Sequence, residues 1–428
     1  MSPTFASLSI YNYRVYAAGA LISNTGTWMG RVAQDWLVLT ELTPHSSVAL
    51  GIVTGLQFAP LVLFAPLAGV VTDRYPKRRI LFATQSALAL TSLLTGVLVV
   101  TGSVQLWHIY LLAFAQGVAT ALDNPTRQTF VSEMVPHESL SNAVGLNSAS
   151  FNAARLIGPG VAGLVIAAVG TGLAFFINTL SFVAVLFALS RMRPSELNTT
   201  PPSQGKGQMR EGFRYVRGRP DIVLIMALVF ALGTFGMNFQ MTTALMATAV
   251  FHKGPGAYGL LGSIMAVGSL SAALLSARRQ NPQLRILLVS MSAFVAASGA
   301  AALAPTYIWF AVLLIPVGLT ALTVLTTANS MVQLSVAPAM RGRVMALYMA
   351  VFMGGTPFVS PLIGWVGAAW GPRWTILVGS FTSGLAVLAA MLYLVHSENI
   401  RVHFHRAQRP RLVVTRGEVI EPMPQIAR

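Results

Sequence analysis

The chain has 428 residues, of which 54% are hydrophobic and 9% charged, against about 25% charged in a typical soluble domain. Its mean hydropathy of +0.66 is too high for a water-soluble globule, so lipid is its expected solvent. The formal charge of +16 does not describe a nucleic-acid surface, because the basic residues fall in alternate loops and not on one face interleaved with aromatics.

A spanning helix needs roughly 20 mostly apolar residues. Such stretches recur near 13–39, 47–71, 80–102, 107–126, 141–168 and 172–190, and again near 221–250, 256–277, 284–304, 306–330, 344–370 and 373–395. They are continuous, rich in Ala, Leu and Gly, and about twice the ~10 residues of a barrel strand, which predicts helices. The expected fold is an all-α membrane protein with twelve transmembrane helices in two pseudo-symmetric six-helix bundles. The N-terminal bundle takes 1–190, a cytoplasmic linker 191–219, the C-terminal bundle 220–396 and a basic cytoplasmic tail 397–428.

Of the 28 Lys and Arg, 24 fall on one predicted side, with only Lys253 and Arg373 in loops on the other and Arg31 and Arg155 inside helices. The positive-inside rule therefore predicts a multi-pass protein of the cell inner (plasma) membrane with both termini cytoplasmic. An anionic inner leaflet is the expected partner of the basic loops. The first apolar segment is too long for a signal-peptide core and is expected to be retained.

The first helix stacks Asn24, Trp28, Arg31 and Asp35 on one face at spacings of four, three and four. A charge in hydrocarbon costs at least ~2.5–3.5 kcal/mol, so such residues face a partner or a wet cavity. Arg31 and Asp35 either neutralise each other or form a proton-coupling pair in which Asp35 takes up and releases a proton under the control of Arg31. The fourth helix repeats the stripe with Gln116, Thr120, Asp123 and Arg127, and the fifth carries Asn147, Phe151 and Arg155 at steps of four. Arg155 lies deep in the bilayer and should touch substrate, a carboxylate or helix carbonyls. The sixth and twelfth segments carry no charge and can face lipid all round. In the linker, Met209, Phe213 and Val216 share an apolar face, as in a helix resting on headgroups or in a plain solvated connector. The seventh helix offers Thr234, Asn238 and Met241 as further cavity residues. Trp28, Phe151, Met237, Met241 and Met265 suit an adaptable apolar cavity, or ordinary packing.

Pro76-Lys77-Arg78-Arg79-Ile80-Leu81 is echoed by Pro282-Gln283-Leu284-Arg285-Ile286-Leu287, an internal repeat characteristic of secondary transporters. The chain lacks the phosphate-binding loop of an ATP-driven pump, so an ion gradient is the expected energy source. It has no Cys, and its seven His are scattered, so no metal site, cofactor or enzymatic activity is expected.

The segment from Gly69 through Asp73, Arg74, Lys77 and Arg78 to Arg79 resembles the loop motif between helices two and three of the major facilitator superfamily, with Pro76 in place of a family Gly. The resemblance implies that Asp73, Arg74, Lys77 and Arg78, with Asp123 and Arg127, form a conformational latch at the inner end; a simple topology anchor is the other reading. Gly145, Ala154, Gly158, Pro159, Ala162 and Gly163 follow the spacing of the superfamily's antiporter motif, with Ala at two Gly positions. Ordinary small-residue packing would give the same composition. Leu122 to Gln128, Asn147-Ser148 and Asn152 to Arg155 resemble the drug-exporter branch that contains enterobactin and macrolide efflux proteins, over roughly 10–396. What this implies is a monomeric exporter of small amphipathic molecules working by proton antiport. A proton-coupled importer, or a non-transporting receptor or scaffold, would share the topology.

Overall fold

A computed structural model describes residues 3–198, 208–277, 282–397, 401–404 and 412–415. The expected basic tail lies largely outside the described residues, as do parts of the linker and of the loop near Arg278. The first half contains α1 (Tyr11–Trp36), α2 (Ser47–Leu63), α3 (Ala65–Arg74), α4 (Lys77–Val100), α5 (Leu106–Met134) and α6 (Leu140–Arg191). After a short α7 (Gln208–Arg217), the second half contains α8 (Pro220–Ala231), α9 (Phe239–Leu245), α10 (Pro255–Ala277), α11 (Leu284–Ala302), α12 (Tyr307–Ser335), α13 (Pro338–Gly354), α14 (Thr356–Trp370) and α15 (Pro372–Ser397). Beyond the helices, Arg401–Phe404 and Leu412–Thr415 pair as short antiparallel strands.

Among the described residues, eight helical segments are long and apolar enough to cross a membrane, or nine if the bent α2–α3 pair is one passage. That pair bends by 60° where Pro60 and Pro66 remove backbone donors around Phe64. The chain doubles back inside α6 at Gly170, whose φ of 83° only glycine adopts without strain. The pairing with α1 fixes the reversal. Tyr13 donates to the Ala143 carbonyl and Gly158 abuts Trp28, whereas beyond Gly170 the order inverts, with Asn178 against Gly30 and Ala188 against Gly19. α6 is thus two antiparallel helices. Its second part is not lipid-facing all round, because Asn178 and Ser181 are buried against Gly26 and Gly30. The outward faces of α4, α6, α11 and α15 present Leu94, Leu180, Val289 and Leu388, an apolar belt of the kind lipid covers.

α7 lies against α13, with Glu211 accepting from Arg343 and Gly212 in contact with the Arg343 side chain. Of the apolar face expected there, Val216 is buried and Phe213 exposed.

The start of α1, the end of α6 and the described basic residues around Lys77 and Arg193 lie at one end of the bundle, here called the basic end. The two halves meet along α2 against α14 and along α6 against α10. Both seams are tight at the opposite, far end. A Cβ on Gly51 would lie 2.6 Å from the Ser360 carbonyl, one on Gly163 2.5 Å from the Pro255 carbonyl, and one on Gly259 2.2 Å from the Pro159 carbonyl. Ser47 adds a 2.7 Å hydrogen bond to the Gly364 carbonyl. Toward the basic end a Cβ on Gly145 or Gly354 would meet nothing within 4 Å, and Phe151 is 47% exposed.

Candidate functional site

The stripe expected on α1 forms, and its members reach different neighbours. Asp35 is buried at the far-end seam, where its Oδ2 accepts from Gln240 Nε2 and from the Tyr258 hydroxyl, each at 2.8 Å. Both donors belong to the second half, and Trp36 stacks on the Tyr258 ring at 6.4 Å. Arg31 makes no ion pair with Asp35 among the described residues. Its guanidinium sits instead over the Trp28 ring at 5.1 Å, and Arg155 approaches the same ring at 5.6 Å. Phe151 meets Trp28 edge-on at 6.1 Å. Close approach of α1 and α6 makes this cluster possible, since a Cβ on Gly158 would lie 2.6 Å from that of Trp28.

Arg155 reaches across to a cavity lined by Met237, Phe239, Met265, Ser269, Gly318 and Ala321 of the second half. Ser263 donates to the Leu156 carbonyl at 2.6 Å beside it. Trp28, Arg31, Phe151 and Arg155 therefore share one site between the halves. Gln116 and Asn147 are partly buried, and Thr120 turns its hydroxyl back to the Gln116 carbonyl at 2.7 Å. Thr234, Asn238 and Met241 lie inside the second half: Asn238 bonds the Thr234 carbonyl and the Ser360 hydroxyl, and Met241 is 1% exposed.

Asp123 sits in a polar network of the first half. Thr84 and Gln85 donate to its Oδ1 at 2.7 Å each, Arg127 Nε donates to Oδ2 at 2.6 Å, and Arg127 Nη1 reaches Asn24 at 3.1 Å. Three polar side chains thus satisfy a buried ion pair, which makes its burial tolerable. Asp73 and Arg74 are exposed, and Asp73 has no ion pair among the described residues. Lys77 pairs with Glu133 at 2.5 Å, and Arg78 donates to the Leu189 carbonyl at 2.9 Å. Of the expected latch residues, Asp123 and Arg127 meet each other, and Asp73, Arg74, Lys77 and Arg78 are not joined to them. Those with the spacing of the antiporter motif divide: Gly145 has open space where a side chain would go, Ala154 and Ala162 are buried, and Gly158, Pro159 and Gly163 make the α1 and α10 contacts.

Gln240, Tyr258, Glu133, Thr84 and Gln85 were not singled out by sequence. One signal for α10 was present in the Gly256, Gly259 and Gly262 spacing, a stripe of small residues suited to close packing.

Two helical halves, sealed at one end and parted at the other around a polar and aromatic cluster, define an integral membrane protein of the major facilitator superfamily. The chain belongs to its transmembrane secretion effector family, whose model matches residues 2–418. These are membrane transporters, not enzymes. The staphyloferrin A transporter of Staphylococcus aureus is 29% identical over 260 residues, covering 58% of this chain and 62% of that protein, so the chain spans less than two thirds of that relative's length. The enterobactin exporter of Shigella flexneri is 22% identical over 362 residues, covering 84% and 85% of the two chains. The fold is similar to that of a crystallised nucleoside transporter, with a TM-score of 0.70 and 12% identity over 89% of this chain and 98% of the other.

Proposed function

We propose that the chain is a secondary active transporter that exports small amphipathic molecules, such as drugs, siderophores or other natural products, by proton antiport with alternating access. The observation that carries this reading is the one-sided closure of the bundle with the Asp35 carboxyl at the closed seam. By the positive-inside rule the basic end is cytoplasmic, so this is the state that admits cargo from the cytoplasm.

Both hydrogen bonds to Asp35 end on Oδ2, which leaves Oδ1 able to carry a proton without breaking either. Opening the far end would withdraw Gln240 and Tyr258 and give the carboxyl to outside water. A group sheltered in one state and reached by the other compartment in the next is what coupling requires. Asp73, Arg74 and Arg78 would then be recruited when the basic end closes. Export is favoured over import by the relatives named for efflux and by the tight α6–α10 seam at Pro159 and Gly163.

The test is the full chain in proteoliposomes with an imposed pH gradient, assayed against lipophilic antibiotics, dyes and siderophores. Uncoupler-sensitive flux of at least one class, lost in Asp35→Asn, is expected. Gradient-driven flux undiminished in Asp35→Asn would overturn the proton role, and no flux for any class would favour a scaffold.

A further inference from the structure

The cluster around Trp28 holds two guanidinium groups, and the one carboxylate whose field reaches it is Asp35, one helical turn beyond Arg31. Among the described residues, neither Arg31 nor Arg155 has an ion pair or a hydrogen bond; each lies over the one indole face or edge at 5.1 and 5.6 Å. An aromatic ring attracts a cation but does not neutralise it, and two cations sharing one ring repel each other.

Asp35 offsets Arg31 in part, and the other acids are committed elsewhere. The chain has twelve Asp and Glu. In the first half, Asp35 takes its hydrogen bonds from the neutral Gln240 and Tyr258, Glu41 accepts from Thr171, Asp123 holds Arg127 and Glu133 holds Lys77; in the linker, Glu196 pairs with Arg193 and Glu211 with Arg343. Asp73 and Glu138 are exposed at the basic end. Across the whole second half, 220–396, the sequence has one acid, Asp221, and it pairs with Arg219 at the mouth of α8. The wall that faces Arg155 is made of Met237, Phe239, Met265, Ser269, Gly318 and Ala321, with hydroxyl and apolar groups only.

We infer that this site binds an oxyanion carried by the cargo, and that the transported class is amphipathic anions with an aromatic or otherwise planar apolar body. Guanidinium forks match the paired oxygens of a carboxylate or sulfonate, and also donate to a lone phenolate oxygen. Trp28 and Phe151 offer an edge-to-face pair on which a ring can lie, and the methionines of the facing wall adapt to its outline. Phe151 is 47% exposed toward the open side, which gives the ligand its way in. The anion supplies what Asp35 alone cannot: a second countercharge for two cations held in a low-dielectric wall. This deepens the export reading and rests on it only for the direction in which the anion moves.

The probe is a matched pair of dyes: anilinonaphthalene sulfonate, and phenylnaphthylamine, which has the same rings without the sulfonate. Equilibrium binding is measured to the full chain in nanodiscs of neutral phosphatidylcholine, corrected for empty nanodiscs, with no gradient. The sulfonate should bind more tightly than its uncharged parent. Arg31→Gln and Arg155→Gln should each weaken it by at least about tenfold, with the uncharged dye unchanged within about twofold and the thermal midpoint preserved. Arg31→Lys and Arg155→Lys, which keep the charge and lose the fork, should fall between.

Equal binding of both dyes, or a parallel loss of both in the glutamine variants, overturns the inference. If the glutamine variants do not fold, the comparison of the two dyes on the unmodified chain decides alone. Phosphatidylglycerol added to the nanodiscs separates the two sources of an oxyanion: complete displacement of the dye would assign the site to a lipid headgroup and overturn the cargo reading, and undiminished binding supports it. Because binding is read without flux, failure of proton-driven export leaves this result standing, and charge-blind binding beside intact export refutes the inference alone.

Discussion

The hydroxyl of Tyr258 donates to Oδ2 of Asp35 over 2.8 Å, joining the second half of the molecule to the first at its closed end. Tyr258→Phe removes that donor and keeps the ring stacked on Trp36. A hydrogen bond to a charged group is worth about 1.5–3 kcal/mol, and this one exists only while the far end is shut. The ratio of closed to open far ends should therefore fall by about tenfold or more. Spin labels on Ser103→Cys and Gly254→Cys, exposed far-end positions in a chain without native Cys, would report this as growth of a longer distance component. An unchanged distribution would show that the bond does not hold the seam.

The seam between α6 and α10 depends on bare backbone. A Cβ at Gly259 would stand 2.2 Å from the Pro159 carbonyl and 3.0 Å from the Gly163 Cα, neither of which can swing aside. Gly259→Val should prise the far end apart, abolish turnover and lengthen the same label distance. Gly145 belongs to the same small-residue pattern yet has open space around it, so Gly145→Ala should leave that distance unaltered. Equal effects of the two would mean that helix propensity, not close approach, explains the glycines.

Stability and switching should separate at Asp123 and Asp73. Asp123→Asn turns an amide toward Arg127, replacing an acceptor with a donor in a buried network, and breaking such a pair costs about 3–5 kcal/mol. A large drop in thermal midpoint is expected. Asp73 is exposed, and Asp73→Asn should change stability by less than about 0.5 kcal/mol while altering the balance of the two open states. The label pair above and a thermal melt read the two effects separately.

Much of this architecture is legible in the sequence because lipid imposes long apolar runs and places charge at their ends. The two charged stripes on α1 and α5 are equally legible, since helical spacing stacks side chains whatever surrounds the helix. What spacing cannot tell is which neighbour a stripe meets. The partners of Asp35 lie 205 and 223 residues away, on helices whose rotation is fixed only by packing. Thr234, Asn238 and Met241 show a second limit. The regular α-helix ends at Ala231, winds wider through Leu232–Gly236 and restarts at Phe239, so a face projected at 3.6 residues per turn loses its phase there. The stripe turns into the second half, and Met237 and Phe239 face the cavity instead.

Lys77 offers a test of how the basic loop is used. Its ammonium lies 2.5 Å from Glu133, and the two side chains are 13% and 7% exposed, so the pair ties the start of α4 to the end of α5 within one half. Glu133→Gln strands the lysine charge and Lys77→Gln strands the carboxylate, so each single variant should destabilise more than the double variant implies. A double-mutant cycle on thermal or denaturant unfolding should return a coupling of about 1–3 kcal/mol, well above the 0.2–1 kcal/mol usual for exposed pairs. A coupling near zero, with Lys77→Gln still shifting the open-state balance, would place the working partner of Lys77 in the closed form of the basic end and not on Glu133.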